Sequence, residues 1–245
     1  MRFNNRTGEK YITNEGYEVE VIEYFSSRNC TLRLIDGNIL KNRMISDVKR
    51  GRVKNPYHKA VYGIGYIGVG IHRTTSNGKP TKTYQKWIGM LERCYCKKSI
   101  IRNPTYIGCS VHEDWHNFQV FAEWFKENYK EGFHLDKDIL VKRNKVYSSK
   151  TCVFVPQELN NLLCITNKKR GECPIGVYKE GNRFIAQTNI DGVSYISRNA
   201  TPEEAFRSYK KAKESHIKLM AEKHKSVITV ECYNALMNYE VEITD

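Results

Sequence analysis

Residues 133–163 read FHLDKDILVKRNKVYSSKTCVFVPQELNNLL, and this stretch narrows the possible folds more than any other in the chain. HLDKDIL is a short run of strand formers, a basic turn follows, CVFVP makes a second strand, and QELNNLL opens a helix. The order predicts a β-hairpin leading into a helix. At 245 residues the chain is too long for one small core and suits two or three compact units, so the hairpin and helix are expected to form one module among several.

Charge limits the partners of those modules. The chain carries 40 Lys and Arg against 27 Asp and Glu, a formal charge of +13. A surface of that sign attracts a polyanion, because each cation that neutralises a phosphate releases a condensed counterion. The opening MRFNNRTGEKYITNEGYEVEV has no apolar core after its basic residues, and no apolar run is long enough to cross a bilayer. The expectation is an intracellular, cytoplasmic protein with no membrane partner. Its eight cysteines include no C-x-x-C pair, which points to reduced thiols. Cys94, Cys96, Cys109 and His112 could in principle gather around Zn²⁺, but the C-x-C spacing fits a zinc knuckle poorly, and small buried thiols are the expected reading.

Residues 1–60 read as a small β module, with YEVEVIEYF and NCTLRLIDG as strands separated by Ser26, Ser27 and Asn29. A basic run follows, from Lys41 and Arg43 through Lys49, Arg50, Arg52 and Lys54 to Lys59, with Asp47 as its one acid. Such a run is either a solvated face or a strip that tracks phosphates, and the excess of cations favours the strip, with Lys49, Arg50, Arg52 and Lys54 as candidate contacts. Residues 61–82 hold five glycines and one proline without helical period, so they make an extended linker or an irregular loop at a module boundary. No G-K-[ST] or helix-opening G-x-G-x-x-G makes them a phosphate loop.

A central module is expected over residues 83–167. Trp87, Met90, Leu91 and Cys94 share one helical face, and a second amphipathic helix runs from about Trp115 through Phe118, Phe121, Ala122 and Phe125. Trp87, Trp115 and Trp124 fall at apolar positions and read as core rather than as base-stacking groups.

Taken together, Trp87, Met90, Arg93, Cys94, Trp115, Phe118, Phe121, Leu135, Asp136, Asp138, Asn144, Tyr147, Ser148, Cys152, Pro156 and Asn160 give a pattern that resembles the H-N-H, or ββα-metal, nuclease superfamily, in particular phage-encoded members. The resemblance implies phosphodiester hydrolysis with one divalent ion, Mg²⁺ or Mn²⁺, held between strand and helix, where it stabilises the leaving oxyanion. It places Asp136 at the metal, Asn144 as the asparagine that orients the base, and Asn160 or Asn161 as the helix ligand, with Glu158 as an alternative. Lys142 and Arg143 in the basic turn are candidate DNA contacts.

The departure from that pattern is Lys137, which stands where the superfamily has its catalytic histidine. An ammonium of ordinary pKa is protonated at neutral pH and is no base. Three readings stay open. Burial depresses the Lys137 pKa; or its charge stabilises a transition state while His134 or Asp138 moves the proton; or the module keeps the fold without the reaction. His134 lies two residues before Asp136 and so shares its strand face.

A C-terminal module is expected over 168–226, entered through the basic hinge Lys168, Lys169 and Arg170. Three short strands separated by EGN and DG turns precede a long helix with Thr201 as N-cap, Pro202 at its first position and Glu203 and Glu204 in its first turn. Ala205, Tyr209, Ala212, His216 and Leu219 have the spacing to pack that helix on one face of the sheet. The G-V-Y-K, F-I-A and T-P-E-E-A-F segments resemble the Apetala/ethylene-response-factor type of DNA-binding domain, which lays a three-stranded sheet in the major groove and also occurs joined to H-N-H modules. The resemblance makes Tyr178, Lys179, Arg183, Gln187, Asn189, Tyr195 and Arg198 candidates to touch DNA, with Arg and Gln or Asn suited to guanine and adenine edges. The acidic segment 227–245 is expected to dock as a closing element or strand.

The sequence thus predicts an α+β, multi-module chain: a small N-terminal β module, a central helical and ββα unit, and a C-terminal three-stranded sheet packed on a helix. The function it points to is a phage or homing-type double-stranded-DNA endonuclease acting in an infected bacterial cell. The alternative is a catalytically inactive DNA-binding protein, a regulator or an inhibitor of a host enzyme, built from the same parts. An RNA-binding reading lacks an aromatic RNP strand or a GXXG junction.

Overall fold

A computed structural model describes residues 4–163, 173–190 and 192–243. The hinge Lys168, Lys169 and Arg170, together with Cys164 and Asp191, lies outside the described residues. The chain is α+β with several small sheets. It divides into two compact units, residues 1–92 with 113–122, and residues 93–112 with 123–245.

The first unit opens with four antiparallel strands in sequential order, β1 (Lys10–Ile12), β2 (Glu18–Ser26), β3 (Asn29–Leu34) and β4 (Ile39–Arg43). β2 and β3 are the two strands expected from alternation. β1 and β4 escape that reading because KYI and ILKNR are short and largely polar. Val19, Val21, Leu32, Leu34 and Leu40 close one face of the sheet against Ile45 and Val48 of the short helix α1 (Ile45–Lys49). Each such side chain, fully buried, stabilises the unit by roughly 1.5–3 kcal/mol relative to exposure.

Residues 61–81 are largely irregular, with a minimal hairpin of β5 (Thr75–Ser76) and β6 (Lys79–Pro80). Tyr66 donates its N–H to the carbonyl of His116 at 2.9 Å and accepts from Phe118 at 2.9 Å. Gly65 is required by close packing: a Cβ there would stand 2.6 Å from a Leu91 methyl and 2.9 Å from the Trp87 ring. Trp87 lies in α2 (Lys82–Tyr95) and is fully buried, as is Trp115, whose carbonyl accepts the Trp87 indole N–H at 2.7 Å. Both rings are core, as expected. Trp115 sits in a 3₁₀ turn over Glu113–His116, and the second helix, α4, starts only at Phe118 and runs to Asn128. The reason is Asn117, whose Oδ1 accepts the N–H of Gln119 at 3.0 Å and so caps a new helix.

The second unit contains α3 (Lys97–Arg102) and β7 (Ser110–Val111), which pairs in parallel with β9 (Val146–Tyr147). The expected hairpin is present: β8 (Phe133–Asp136) and β10 (Val153–Pro156) pair antiparallel, Asp136 opposite Val153 and His134 opposite Val155, and α5 (Gln157–Leu163) follows directly. Because side chains alternate, the pair has two distinct faces. On one, Phe154 packs on Trp124, Phe125 and Tyr129. On the other, Val153 and Val155 join Leu159 of α5 in a core with Ile217, Met220 and Ala221.

Those last three residues belong to α6 (Pro202–His224), the long helix after the antiparallel sheet of β11 (Val177–Glu180), β12 (Arg183–Ile190) and β13 (Val193–Asn199). Thr201 and Glu204 form the reciprocal capping box that fixes the helix start. The first half of α6 covers the sheet through Ala205 and Tyr209 with Ala186. Its second half completes the core beneath the hairpin. Leu219 is 54% exposed rather than packed, since the buried stripe advances from His216 to Met220, a step of four that keeps pace with the helical period. The closing segment is a helix, α7 (Val230–Met237), capped by Thr229, and not a strand.

Candidate nucleic-acid interface

The three-stranded sheet presents one face to α6, and most side chains on its other face are exposed among the described residues. Register assigns each residue to a face: Tyr178 stands opposite Ile185, Ile185 opposite Arg198, Gln187 opposite Ile196 and Asn189 opposite Ser194. With Arg183, two residues before Ile185 on β12, these side chains share the open face. Arg183, Gln187, Asn189 and Arg198 are exposed, Tyr178 is 41% exposed and Ile196 47%, and Ile185 is buried among them. The result is an aromatic and aliphatic centre flanked by two guanidinium groups and two amides. Gln187 Nε2 donates to Ser194 Oγ at 3.2 Å, and Asn189 Oδ1 accepts the Gly192 N–H at 2.8 Å, closing the β12–β13 turn.

Two of the seven residues that the resemblance assigns to DNA lie on the other face. Lys179 stands opposite Phe184, with its Nζ 5.9 Å from that ring's centroid, and Tyr195 is half-buried opposite Thr188. Both therefore face α6. Gly176, just before β11, has φ +70° and would put a Cβ 2.1 Å from the Tyr209 ring, which explains the glycine of G-V-Y-K by helix-to-sheet packing.

Elsewhere, Lys49, Arg50, Arg52 and Lys54 are all exposed; the last two alternate with buried Gly51, Val53 and Asn55. Lys142 and Arg143 are engaged by the closing segment: Glu242 pairs with Lys142 at 3.3 Å and Arg143 at 2.8 Å, and the Glu240 carbonyl accepts from Lys142 at 2.6 Å. Four cations that the sequence reading left aside, Arg207, Lys210, Lys211 and Lys218, line a groove of about 330 Å³ along α6 with Glu214 and Ser215. Attention to the apolar period of α6 hides this polar stripe.

In the hairpin–helix unit, Asp136 ends β8 with its Oδ1 accepting the N–H groups of Asp138 and Ile139, each at 2.8 Å. Burial pushes its pKa up to about 6, and the neighbouring Asp138 carboxylate adds to the rise. Lys137 is 12% exposed and its Nζ lies 2.7 Å from Asp138 Oδ2. Burial acts to lower the Lys137 pKa, but the bond to Asp138 and that carboxylate's charge outweigh it, and the value ends above the ordinary one. Lys137 is held as an ammonium. Asn144 donates to the main-chain carbonyls of Lys137 at 2.6 Å and Val146 at 2.7 Å, so it orients the backbone at position 137 and ties the loop closed.

His134 is half-buried and shares the face of β8 that bears Asp136. In α5, Leu159 is buried, Asn160 half-buried and Asn161 exposed, while Glu158 pairs with Lys223 at 2.8 Å and His224 at 3.4 Å. Among the described residues no three His, Cys, Asp or Glu side chains gather as a metal site. Asp136, Asn160 and Asn161 supply one carboxylate, with one oxygen taken by two N–H groups, and the carboxylate of Asp138 is taken by Lys137. Mg²⁺ is held by one or two protein carboxylates with waters completing its shell, so Asp136 is the carboxylate of this set that would hold such an ion.

Compared with protein-family models, curated proteins and solved structures, the chain gives no match.

Proposed function

We propose that this chain is a double-stranded-DNA-binding protein in which the open face of β11–β13 reads the duplex, beside a nuclease-like hairpin–helix unit. The observation that carries the reading is the grouping of Tyr178, Arg183, Gln187, Asn189 and Arg198 on one side of a sheet whose other side is covered by α6. Arg and Gln or Asn have the donor and acceptor geometry to distinguish guanine and adenine edges, and a two- or three-stranded ribbon fits the major groove. The exposed Lys49, Arg50, Arg52 and Lys54 and the cationic stripe of α6 supply phosphate contacts that add affinity without sequence information.

For the hairpin–helix unit, the reading that fits the side chains best is binding without hydrolysis, as in a regulator or an inhibitor of a host enzyme. Lys137 is an ion-paired ammonium, and Asp136 and Asn144 serve the local backbone. Metal-dependent endonuclease activity is the second reading, favoured by the direct succession of β8, β10 and α5 and by His134 and Asp136 on a common face. One experiment addresses both. Labelled duplex is titrated with protein across a salt series, and plasmid is incubated with Mg²⁺, Mn²⁺ or EDTA. Salt-sensitive binding with intact plasmid is the expected result; nicking that needs metal and is lost in Asp136→Ala would establish the endonuclease, and no duplex binding at low salt would reject the DNA reading.

A further inference from the structure

The turn between β8 and β9 carries Lys142 and Arg143, and both cations close on one carboxylate. Glu242 Oε1 lies 3.3 Å from Lys142 Nζ, and its Oε2 lies 2.8 Å from a guanidinium nitrogen of Arg143. The two donors therefore already hold a pair of anionic oxygens in one place. Lys142 is steadied from behind, with its Nζ 2.6 Å from the Glu240 carbonyl and 5.0 Å from the Tyr239 ring centroid. Arg143 takes the left-handed backbone, φ +63°, a strained conformation that persists where surrounding contacts fix it. The site is open to solvent: the Lys142 side chain is 26% exposed, Arg143 54% and Glu242 48%.

The segment that supplies Glu242 has its own anchor. Val241 is buried with Ala186, Ala205 and Tyr209; its N–H donates to Glu214 Oε1 at 2.8 Å, and its carbonyl accepts from Lys210 at 3.0 Å. Residues 226–245 hold Glu231, Glu240, Glu242 and Asp245 and no Lys or Arg, in a chain of net charge +13. We propose that the Lys142–Arg143 turn is a phosphate-binding site that Glu242 occupies in the free chain as an internal competitor. The identity of the ligand rests on the DNA-binding reading above, under which it is a backbone phosphate of the duplex. A carboxylate and a phosphodiester each present a pair of acceptor oxygens to the same ammonium and guanidinium, so binding of one excludes the other. Glu242 is half exposed, and an ion pair in that setting has little net strength. A duplex phosphate adds counterion release, which the carboxylate does not. Only the Glu242 side chain has to leave; Val241 stays in its core. Because a phosphate carries no sequence information, the competitor weakens binding to all duplexes alike.

The full chain is compared with Glu242→Gln, with Lys142→Gln and Arg143→Gln together, and with all three changes combined. Anisotropy of a labelled duplex is followed across a salt series and with unrelated sequences. Glu242→Gln is expected to tighten binding about three- to tenfold for every sequence and to steepen the salt slope by about one to two, as two cations gain phosphates. The paired cation changes should alter binding little while Glu242 is present, and should abolish the gain when it is replaced, a non-additive result. Thermal unfolding in inorganic phosphate against chloride at equal ionic strength gives a second readout. Phosphate should raise the midpoint of Glu242→Gln more than that of the unaltered chain or of the combined variant. Glu240→Gln removes the same charge from an exposed side chain two residues earlier, while Lys142 bonds only the main chain there. An equal gain from Glu240→Gln, or a gain that survives loss of both cations, would reduce the effect to net charge and overturn the site. If neither the unaltered chain nor Glu242→Gln binds duplex at low salt, the DNA reading fails and the phosphate response decides the site. A lower unfolding midpoint in Glu242→Gln with no gain in affinity, slope or phosphate response would make Glu242 a tail anchor and overturn the proposal.

Discussion

Lys137 Nζ and Asp138 Oδ2 are 2.7 Å apart, a contact between neighbours in sequence made possible by the turn that Asp136 and Asn144 hold closed. The ammonium is mostly covered while its partner is 43% exposed. Asp138→Asn removes the neutralising charge from a shielded lysine. Because the carboxylate is well solvated, the expected cost is about 1 kcal/mol rather than the larger cost of a buried pair. Urea unfolding read by circular dichroism measures it, and an unchanged midpoint would show that Asp138 is a spectator.

The two faces of the C-terminal sheet should separate in binding. Arg183→Gln and Arg198→Gln remove guanidinium groups from the open face and should each cost about 1–3 kcal/mol of affinity, with loss of preference between duplex sequences if they touch bases. Lys179→Gln and Tyr195→Phe alter the face turned to α6 and should leave affinity within about twofold of the unaltered chain. Competition titrations with several duplexes compare the two sets. Equal losses from both would remove the open face as the reader.

Asp136 makes stability depend on pH in a defined direction. Its folded pKa is raised to about 6, whereas an unfolded aspartate titrates near about 3.9. A value raised by folding means that its stabilising contribution is full below about pH 4 and is lost as pH rises through about 6. Asp136→Asn keeps an oxygen for the two N–H groups but cannot ionise. Its melting temperature relative to the unaltered chain should therefore improve between pH 5 and pH 8, and parallel melting curves at both pH values would contradict the burial assigned to this carboxylate.

Ile217 sits fully buried where the second half of α6 meets Val153, Val155 and Leu159. Ile217→Ala should cost about 2–5 kcal/mol, the range for a core side chain whose cavity cannot collapse. α6 also covers the sheet through Ala205 and Tyr209, so the loss should weaken the hairpin core and the sheet in one transition. Hydrogen exchange resolved along the chain reads this; protection lost in the hairpin alone would show that the two cores unfold separately.

Local signals in the sequence reach as far as local physics does. The hairpin order of FHLDKDIL and CVFVP, the helix after it, the Thr201–Glu204 capping box and the three strands of the C-terminal sheet all follow from short-range alternation, turn residues and caps, and each is found in the structure. Trp87 and Trp115 likewise read correctly as core, because each lies at an apolar position. The later start of α4 was hidden because Asn117 can cap a helix or lie within a loop, and its neighbours alone do not decide which.

Which side chains meet is set by contacts between distant segments. Sequence spacing groups Lys179 and Tyr195 with Arg183, but pairing register sends them to opposite faces, since a shift of one residue in a strand reverses the direction of every side chain. Spacing also says nothing of Glu242 reaching Lys142 and Arg143, or of Arg93 and Lys137 converging on Tyr147 from separate segments. The charge of the chain and the types and order of most elements are legible residue by residue, because propensity, caps and hydrophobic period act over a few residues. The pairings, the shared core beneath α6 and the state of each ionisable group depend on contacts between distant segments, and only the folded chain sets those.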